Sequence, residues 1–301
     1  MTASDLLTET DPADAGAWAR GRRRIPRPSF SFVLGLVLLL WPLALAVIGG
    51  FLVDPRGLRI GAAPPGSPPS VEHLLGSDTA GRDILALMVQ GTPPTFMIGF
   101  LAGGIATIAG TMIGVISGYS RGLVDSILRG VVDVMLGLPA LAVAIIVAAI
   151  LGNISTLQLG IIIALLIWAF PARQVRSQVL SLREQQFVFI SKLSNQGPLR
   201  IMFLEILPNI LPFVMAAFVA AVSFSILVAI GLQLLGLGSA EATLGLVLQL
   251  AIGGGALSRG MWWWWAPPAL ILVSIFVGLF LVSTAVDRFA NPRLREVRAD
   301  G

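Results

Sequence analysis

The sequence predicts an all-α integral membrane protein with six transmembrane helices and both termini in the cytoplasm. Three observations carry that prediction. Charged residues are only 12% of the 301 residues, against about 25% in an ordinary soluble chain, so lipid must be the solvent for most side chains. Hydrophobic residues reach 56%, with a mean hydropathy of +0.88. They gather into apolar runs near the roughly 20 residues that a spanning helix needs. The basic residues collect on one side of those runs.

The same composition excludes several chemistries. The chain has no cysteine and one histidine, His73. Disulfides, thiol catalysis, a Ser/His/Asp triad and histidine- or cysteine-based metal clusters are therefore ruled out within it. No catalytic residue and no metal site are expected. The formal charge of +4 does not indicate nucleic-acid binding, because the arginines lie in short loops between spans.

In chain order, residues 1–28 form a polar tail, acidic at first and then basic (Arg20, Arg22, Arg23, Arg24, Arg27). Residues 29–53 hold the first span, an uncharged run from Phe30 to Leu52. It reads as a retained helix and not a cleaved signal, since the apolar run passes Ala44-Leu45-Ala46 and more spans follow. Residues 54–94 are a proline- and glycine-rich extracytoplasmic segment. The five-helix core, residues 95–286, begins with a second span from Phe96 to Ile116, whose Gly99, Gly103, Gly104, Gly110 and Gly114 permit close helix packing in lipid. A polar loop leads to a third span, Val134 to Leu151, and a fourth from Leu159 to Phe170. Pro171 opens a long polar segment, 172–209, that ends at Pro208 and Asn209. The fifth span runs from Leu211 to Leu232. A small-residue stretch follows, with an apolar centre at Leu244 to Ile252 that suits a re-entrant or interfacial helix. The Trp262–Trp265 run, placed as an interfacial aromatic belt, starts the sixth span, which ends near Ala285. Residues 287–301 form a C-terminal tail.

The arginines set the orientation. The N-terminal tail, the first inner loop (Arg121, Arg129), the 172–209 segment (Arg173, Arg176, Arg183, Lys192, Arg200) and the C-terminal tail (Arg288, Arg293, Arg295, Arg298) hold sixteen of the 20 lysines and arginines. Only Arg56, Arg59, Arg82 and Arg259 fall on the other side. The positive-inside rule makes the richer side cytoplasmic.

Within 172–209, Ser181-Leu182-Arg183-Glu184 fits a capping box and predicts a helix from Leu182 to about Leu193. Asn195 suits a left-handed terminator, and Pro198 the first turn of a second helix. In the extracytoplasmic segment, Asp78 and Arg82 are four apart, and Gly76 and Gly81 allow tight bends. Asp78, Arg82 and Asp83 thus read as a salt-bridged turn, with His73 a hydrogen-bonded surface residue. Asp125, Arg129 and Asp133 form an i,i+4 ladder on one helix face at the cytoplasmic mouth. The spans hold almost no ionisable residue; Gln233 and Gln249, polar but uncharged, lie near their edges. An ion-coupled carrier would need intramembrane charges. An intramembrane enzyme would need a base beside Ser274 or Thr284, and neither is supplied.

At several points the chain resembles the C-type permease subunit of the dipeptide/oligopeptide/nickel group of binding-protein-dependent ABC importers. LSLREQQFVFISKLSNQGPLRIMFLEILPN is similar to that family's cytoplasmic loop, and HLLGSDTAGRDIL (His73–Leu85) to its outer-segment signature. Gly118-Tyr119, Asp125, Arg129, Asp133 and Leu138-Pro139 match its first inner loop, Leu234–Gly238 the segment after the fifth span, and Asn291–Arg295 its tail. The family's loop carries Glu-Ala-Ala and, four residues on, a glycine; Phe189, Ile190, Ser191 and Asn195 stand there in this chain.

The resemblance implies the type I ABC importer permease fold in a cytoplasmic or inner membrane. It also implies a second permease subunit, two ATPase subunits that bind ATP and magnesium, and an extracytoplasmic substrate-binding protein. This chain has no Gly-rich phosphate loop of its own and is expected to hold no cofactor. Its contacts with the ATPases are expected through Ser181, Arg183, Glu184, Phe187, Ile190, Ser191, Asn195 and Pro208. Di- and oligopeptides are the expected cargo, with oligosaccharides, opines or nickel complexes as alternatives.

Overall fold

The computed structural model describes residues 29–239 and 241–290. The tail 1–28 and the Asn291–Arg295 motif lie outside them. Described elements run α1 (Phe30–Leu52), α2 (Ile84–Tyr119), α3 (Leu123–Gly137), α4 (Ala140–Leu151), α5 (Thr156–Ile167), α6 (Ala169–Leu182), α7 (Gln186–Leu193), α8 (Pro198–Arg200), α9 (Leu207–Leu234), α10 (Leu244–Gly253) and α11 (Trp262–Ala290).

Among the described residues, four helices are long and apolar enough to cross a membrane alone, and two bent pairs, each counted as one span, bring the number up to six. The pair α3 and α4 bends by 75° and the pair α5 and α6 by 42°. Proline explains both. Leu138, held extended ahead of Pro139, ends α3. Pro171 has no N–H to give the carbonyl four residues before it, so the helix breaks one turn earlier, at Trp168. The segment expected to leave the membrane at Pro171 therefore stays helical to Leu182.

Helix α2 is the central strut. Its 36 residues span roughly 54 Å at 1.5 Å per residue, more than the hydrocarbon thickness, so the helix begins earlier and ends later than the expected second span. Its glycines divide between two partners. A methyl group at Gly99 or Gly103 would press on Ile226 and Val222 of α9, and one at Gly110 or Gly114 on the backbone of Trp168 and Ala172 beside and in α6. Gly104 is different, with Phe218 the nearest group at 3.9 Å. Gly99, Gly103, Gly110 and Gly114 thus set close helix approaches, as small residues do in lipid.

Helix α1 crosses α11 through Gly35 and Gly278, which meet backbone to backbone, and Trp41 Nε1 donates to Ser274 Oγ at 3.1 Å. Ser274 and Thr284 spend their own protons on helix carbonyls. Helix α10 is tucked against the bundle. Leu244, Val247 and Ala251 are buried, and Leu244 N–H donates to Thr95 of α2. In the tryptophan run Trp262 is exposed, but Trp264 is buried in the core and Trp263 Nε1 reaches Ser77 O. The run therefore ties the extramembrane segment to the bundle as well as marking its edge. Helices α8 and α9 join through π-helical turns at Ile201–Ile206 into one 37-residue rod, Pro198–Leu234. The wide turns precede Pro208 and Pro212, which remove two helix donors. Pro208 thus lies in the first turn of α9 and does not terminate the polar segment.

Candidate functional site

The 172–209 segment holds most of α6, which packs along the end of α2, then α7, α8 and the π-helical turns that lead into α9. Ala172, Val175 and Val179 of α6 are buried against Gly110, Gly114 and Gly118, so the arginines and glutamines of α6 occupy its other faces.

Arg176 is the anchor. Its Nε donates to Asp125 Oδ1 at 2.9 Å and to Ser117 Oγ at 3.1 Å, and its second guanidinium nitrogen donates to Asp125 Oδ2 at 2.8 Å. Ser117 donates to the same carboxylate at 2.8 Å. One forked pair therefore ties α2, α3 and α6 together. Asp125, Arg129 and Asp133 recur every turn along α3, which keeps those turns outside the hydrocarbon. The Arg176 hydrogen bond, opposed by partial burial and helped by Ser117 and the nearby Arg176 and Arg129 charges, lowers the Asp125 carboxyl from 3.8 to about 2.

The ladder expected within α3 is not formed. Asp125 pairs with Arg176, Asp133 pairs loosely with Arg173 at 3.6 Å, and Arg129 makes no ion pair among the described residues. A neighbouring helix offers better geometry than the next turn of the same one. The exposed Arg173 pair contributes little, about 0–1 kcal/mol.

The expected capping box is also absent. Ser181 sits inside α6, and α7 starts at Gln186 behind Gln185, with no side-chain cap. A capping box does form at Ser155 and Gln158, opening α5. Arg183 instead donates to the carbonyls of Gly118 and Ser120 at 2.9 and 3.2 Å, placing its charge on the negative end of the α2 dipole. Glu184 bridges Arg183 and Arg121 at 3.1 and 3.0 Å. These two residues are engaged within the chain.

The other end of α7 follows the expectation. Asn195 has φ 56°, Asn195 N–H bonds to Lys192 O and Gln196 N–H to Ser191 O, which is the Schellman closure. Pro198 opens α8. Val188 and Ser191 face inward and Phe187 is partly buried, while the Lys192 ammonium sits 5.6 Å from the Tyr119 ring centre. Phe189, Ile190 and Leu193 are 63%, 61% and 71% exposed. Helix α7 thus presents an apolar ridge, held from behind by the Ile201–Ile206 turn and by the Lys192 contact with Tyr119.

At the opposite end of α2, the extramembrane turn forms as expected. Asp78, fully buried, accepts from Ala80 N and Arg82 N at 2.8 Å each and from Arg82 Nε at 2.6 Å. Gly76 and Gly81 have φ 70° and 73°, conformations that cost a side chain dearly. Asp83 caps α2 through Ala86 N and pairs with His73 Nδ1 at 2.7 Å. Both carboxylates serve the loop.

One feature escaped sequence reasoning. Between α6 and α9 lie two adjoining cavities of 180 and 320 Å³ that share Gln174, Ala217 and Ala220. Ser177, Gln178 and Ser283 line the second, and Phe170 and Phe224, with ring centres 5.5 Å apart, stand at the first. The spacing of Phe170, Gln174 and Gln178 was a usable signal, hidden because the stretch reads as a polar loop.

Comparison with known proteins fits this architecture. Residues 110–296 match the family described as "binding-protein-dependent transport system inner membrane component". The chain is 29% identical over 264 residues to the dipeptide transport system permease protein of Bacillus subtilis, covering 87% of this chain and 81% of that protein. It is 33% identical over 224 residues to the dipeptide transport system permease protein of Alkalihalophilus pseudofirmus, covering 74% and 72%. The oligopeptide transport system permease protein of Lactococcus lactis is 28% identical over 229 residues, covering 75% and 78%. Up to six spans together with that match fit the type I importer permease fold expected from the sequence. The chain belongs to the binding-protein-dependent transport system inner membrane component family.

Proposed function

We propose that this chain is one permease subunit of an ATP-driven importer of di- or oligopeptides, embedded in the cytoplasmic membrane with the α7 end inside. It pairs with a second permease, receives peptide from an extracytoplasmic binding protein, and takes its drive from two separate ATPase subunits. The observation that carries the reading is the likeness, over 74% to 87% of the chain, to relatives named as dipeptide and oligopeptide permeases.

The α6–α7 geometry supplies a mechanism. ATPase closure pushes on Phe189, Ile190 and Leu193. Because α7 is closed by its Schellman turn and α6 is pinned through Arg176, the push moves α6 as a body. Helix α6 faces the cavities along α9, so the push changes access to that path, where Gln174, Ser177 and Gln178 offer hydrogen bonds to a peptide backbone. No covalent chemistry occurs in this chain.

The test is uptake by the reconstituted complex, with its binding protein, of labelled dipeptides, longer peptides, oligosaccharides and nickel complexes. Peptide uptake driven by ATP is expected. Uptake of another class with peptides excluded would overturn the cargo.

A further inference from the structure

We propose that the groove between the C-terminal end of α1 and the extramembrane segment binds the headgroup of a zwitterionic, amine-bearing phospholipid, with its phosphate at Arg56 and Arg59 and its ammonium at Glu72. The groove has a volume of 710 Å³, inside the roughly 300–1,000 Å³ typical of small-molecule sites. It is too small for a whole phospholipid and large enough for a headgroup and the start of an acyl chain.

Its lower wall is the last turns of a membrane-spanning helix, with Leu45, Ile48 and Leu52. Ile48 and Leu52 lie open on the surface of the chain, in the last turns of the apolar helix, where an acyl chain can lie against them. Above them, Ile60 and Val71 are 79% and 96% exposed on turns outside any helix. Bulky apolar side chains carried there on the extramembrane segment rest on lipid.

The charges around the groove are selective. Asp54 accepts the Arg56 backbone N–H at 2.8 Å, and Asp83 is divided between His73 and the first turn of α2. Asp54 keeps its negative charge, and Asp54, Arg56, Arg59 and Glu72 all line the groove, none within ion-pair distance of an opposite charge among the described residues. Cations and anions side by side complement a phosphate joined to a primary ammonium. An anionic headgroup without an amine would bring its phosphate against Glu72 unopposed. A quaternary ammonium has no N–H to donate to Glu72. The inference rests on the membrane placement of α1 and not on which solute is carried.

The test uses the purified, delipidated transporter complex, incubated with vesicles containing equal parts phosphatidylethanolamine, phosphatidylcholine and phosphatidylglycerol with identical acyl chains. Lipid retained after gel filtration is measured by mass spectrometry. Phosphatidylethanolamine should be favoured about tenfold over phosphatidylcholine, the worth of one charge-assisted hydrogen bond. Glu72→Gln should remove that preference while total retained lipid stays the same. Arg56→Gln with Arg59→Gln should lower retention of all three about tenfold. These side chains are exposed, and an unchanged gel-filtration profile verifies that the variant complexes assemble. Preferred retention of phosphatidylglycerol, or an ethanolamine preference that survives Glu72→Gln, would overturn the proposal. So would variants that lose affinity for the binding protein while lipid retention is unchanged, since the groove would then belong to that partner.

Discussion

Gly114→Ala and Gly104→Ala are the same chemical change on the same helix, and the structure predicts opposite signs for them. At Gly114 the added methyl would stand 2.6 Å from the Ala172 carbonyl oxygen and 2.9 Å from Val175 Cβ. Ordinary contact begins at 3.4 Å, so α6 must retreat by about 0.8 Å, and its backbone cannot turn aside as a flexible side chain could. Overpacking of this kind costs about 1–3 kcal/mol. At Gly104 the nearest atom is 3.9 Å away, and alanine gains about 1 kcal/mol of helix propensity over glycine. The assay is the thermal unfolding midpoint of the purified complex, read side by side for the two variants. Gly114→Ala should melt below wild type and Gly104→Ala at or above it. A Gly114→Ala complex as stable as the Gly104→Ala one would refute the claim that α2 and α6 touch backbone to backbone. Retreat of α6 also loosens the lever, so Gly114→Ala should lower peptide transported per ATP hydrolysed.

Other predictions follow from the ion pairs and from α7. Asp125→Asn should cost about 1–2 kcal/mol after discounting for solvent screening, and combining it with Arg176→Gln should cost little more than either alone; a double-mutant cycle on the unfolding midpoint measures this. Because the folded-state carboxyl titrates at about 2, below its ordinary 3.8, its contribution is complete above the ordinary value and is lost as pH falls toward 2. The gap between wild type and Asp125→Asn should therefore be constant from neutral pH to about 5 and close below about 4. Asp78→Asn leaves the Arg82 guanidinium without its buried partner, and limited proteolysis should cut the 54–83 segment faster than in wild type. Phe189→Ala with Ile190→Ala should preserve the fold, since both side chains are exposed, yet leave ATP hydrolysis unresponsive to peptide-loaded binding protein.

What was legible in the sequence follows from range. Spans show in local hydropathy: α1 stands where its apolar run put it, whereas α2 starts twelve residues before the expected span, at Ile84. The Asp78–Arg82 turn and the Asn195 terminator are decided within five residues, so their chemistry sits in one window. The ladder on α3 failed because Asp133 is paired with Arg173 and Asp125 with Arg176, 40 and 51 positions on, and spacing along one helix is silent about the neighbouring helix. The Ser181 capping box failed for a related reason. Pro171 looks like the end of a helix, but a bend at Trp168 places it in the first turn of α6, where its missing donor costs little. Ser181 was then already inside a helix. Trp264 shows the same limit: an indole that suits a membrane boundary was taken instead by the core between α10 and α11.

The coupling role of this chain rests on what touches α7. A photo-crosslinking amino acid placed at Ile190 in the assembled complex should give an adduct with an ATPase subunit, and one placed at Leu74, in the extramembrane segment at the other end of the bundle, should give none with the ATPases. An ATPase adduct from Leu74 with none from Ile190 would contradict both the orientation and the coupling role.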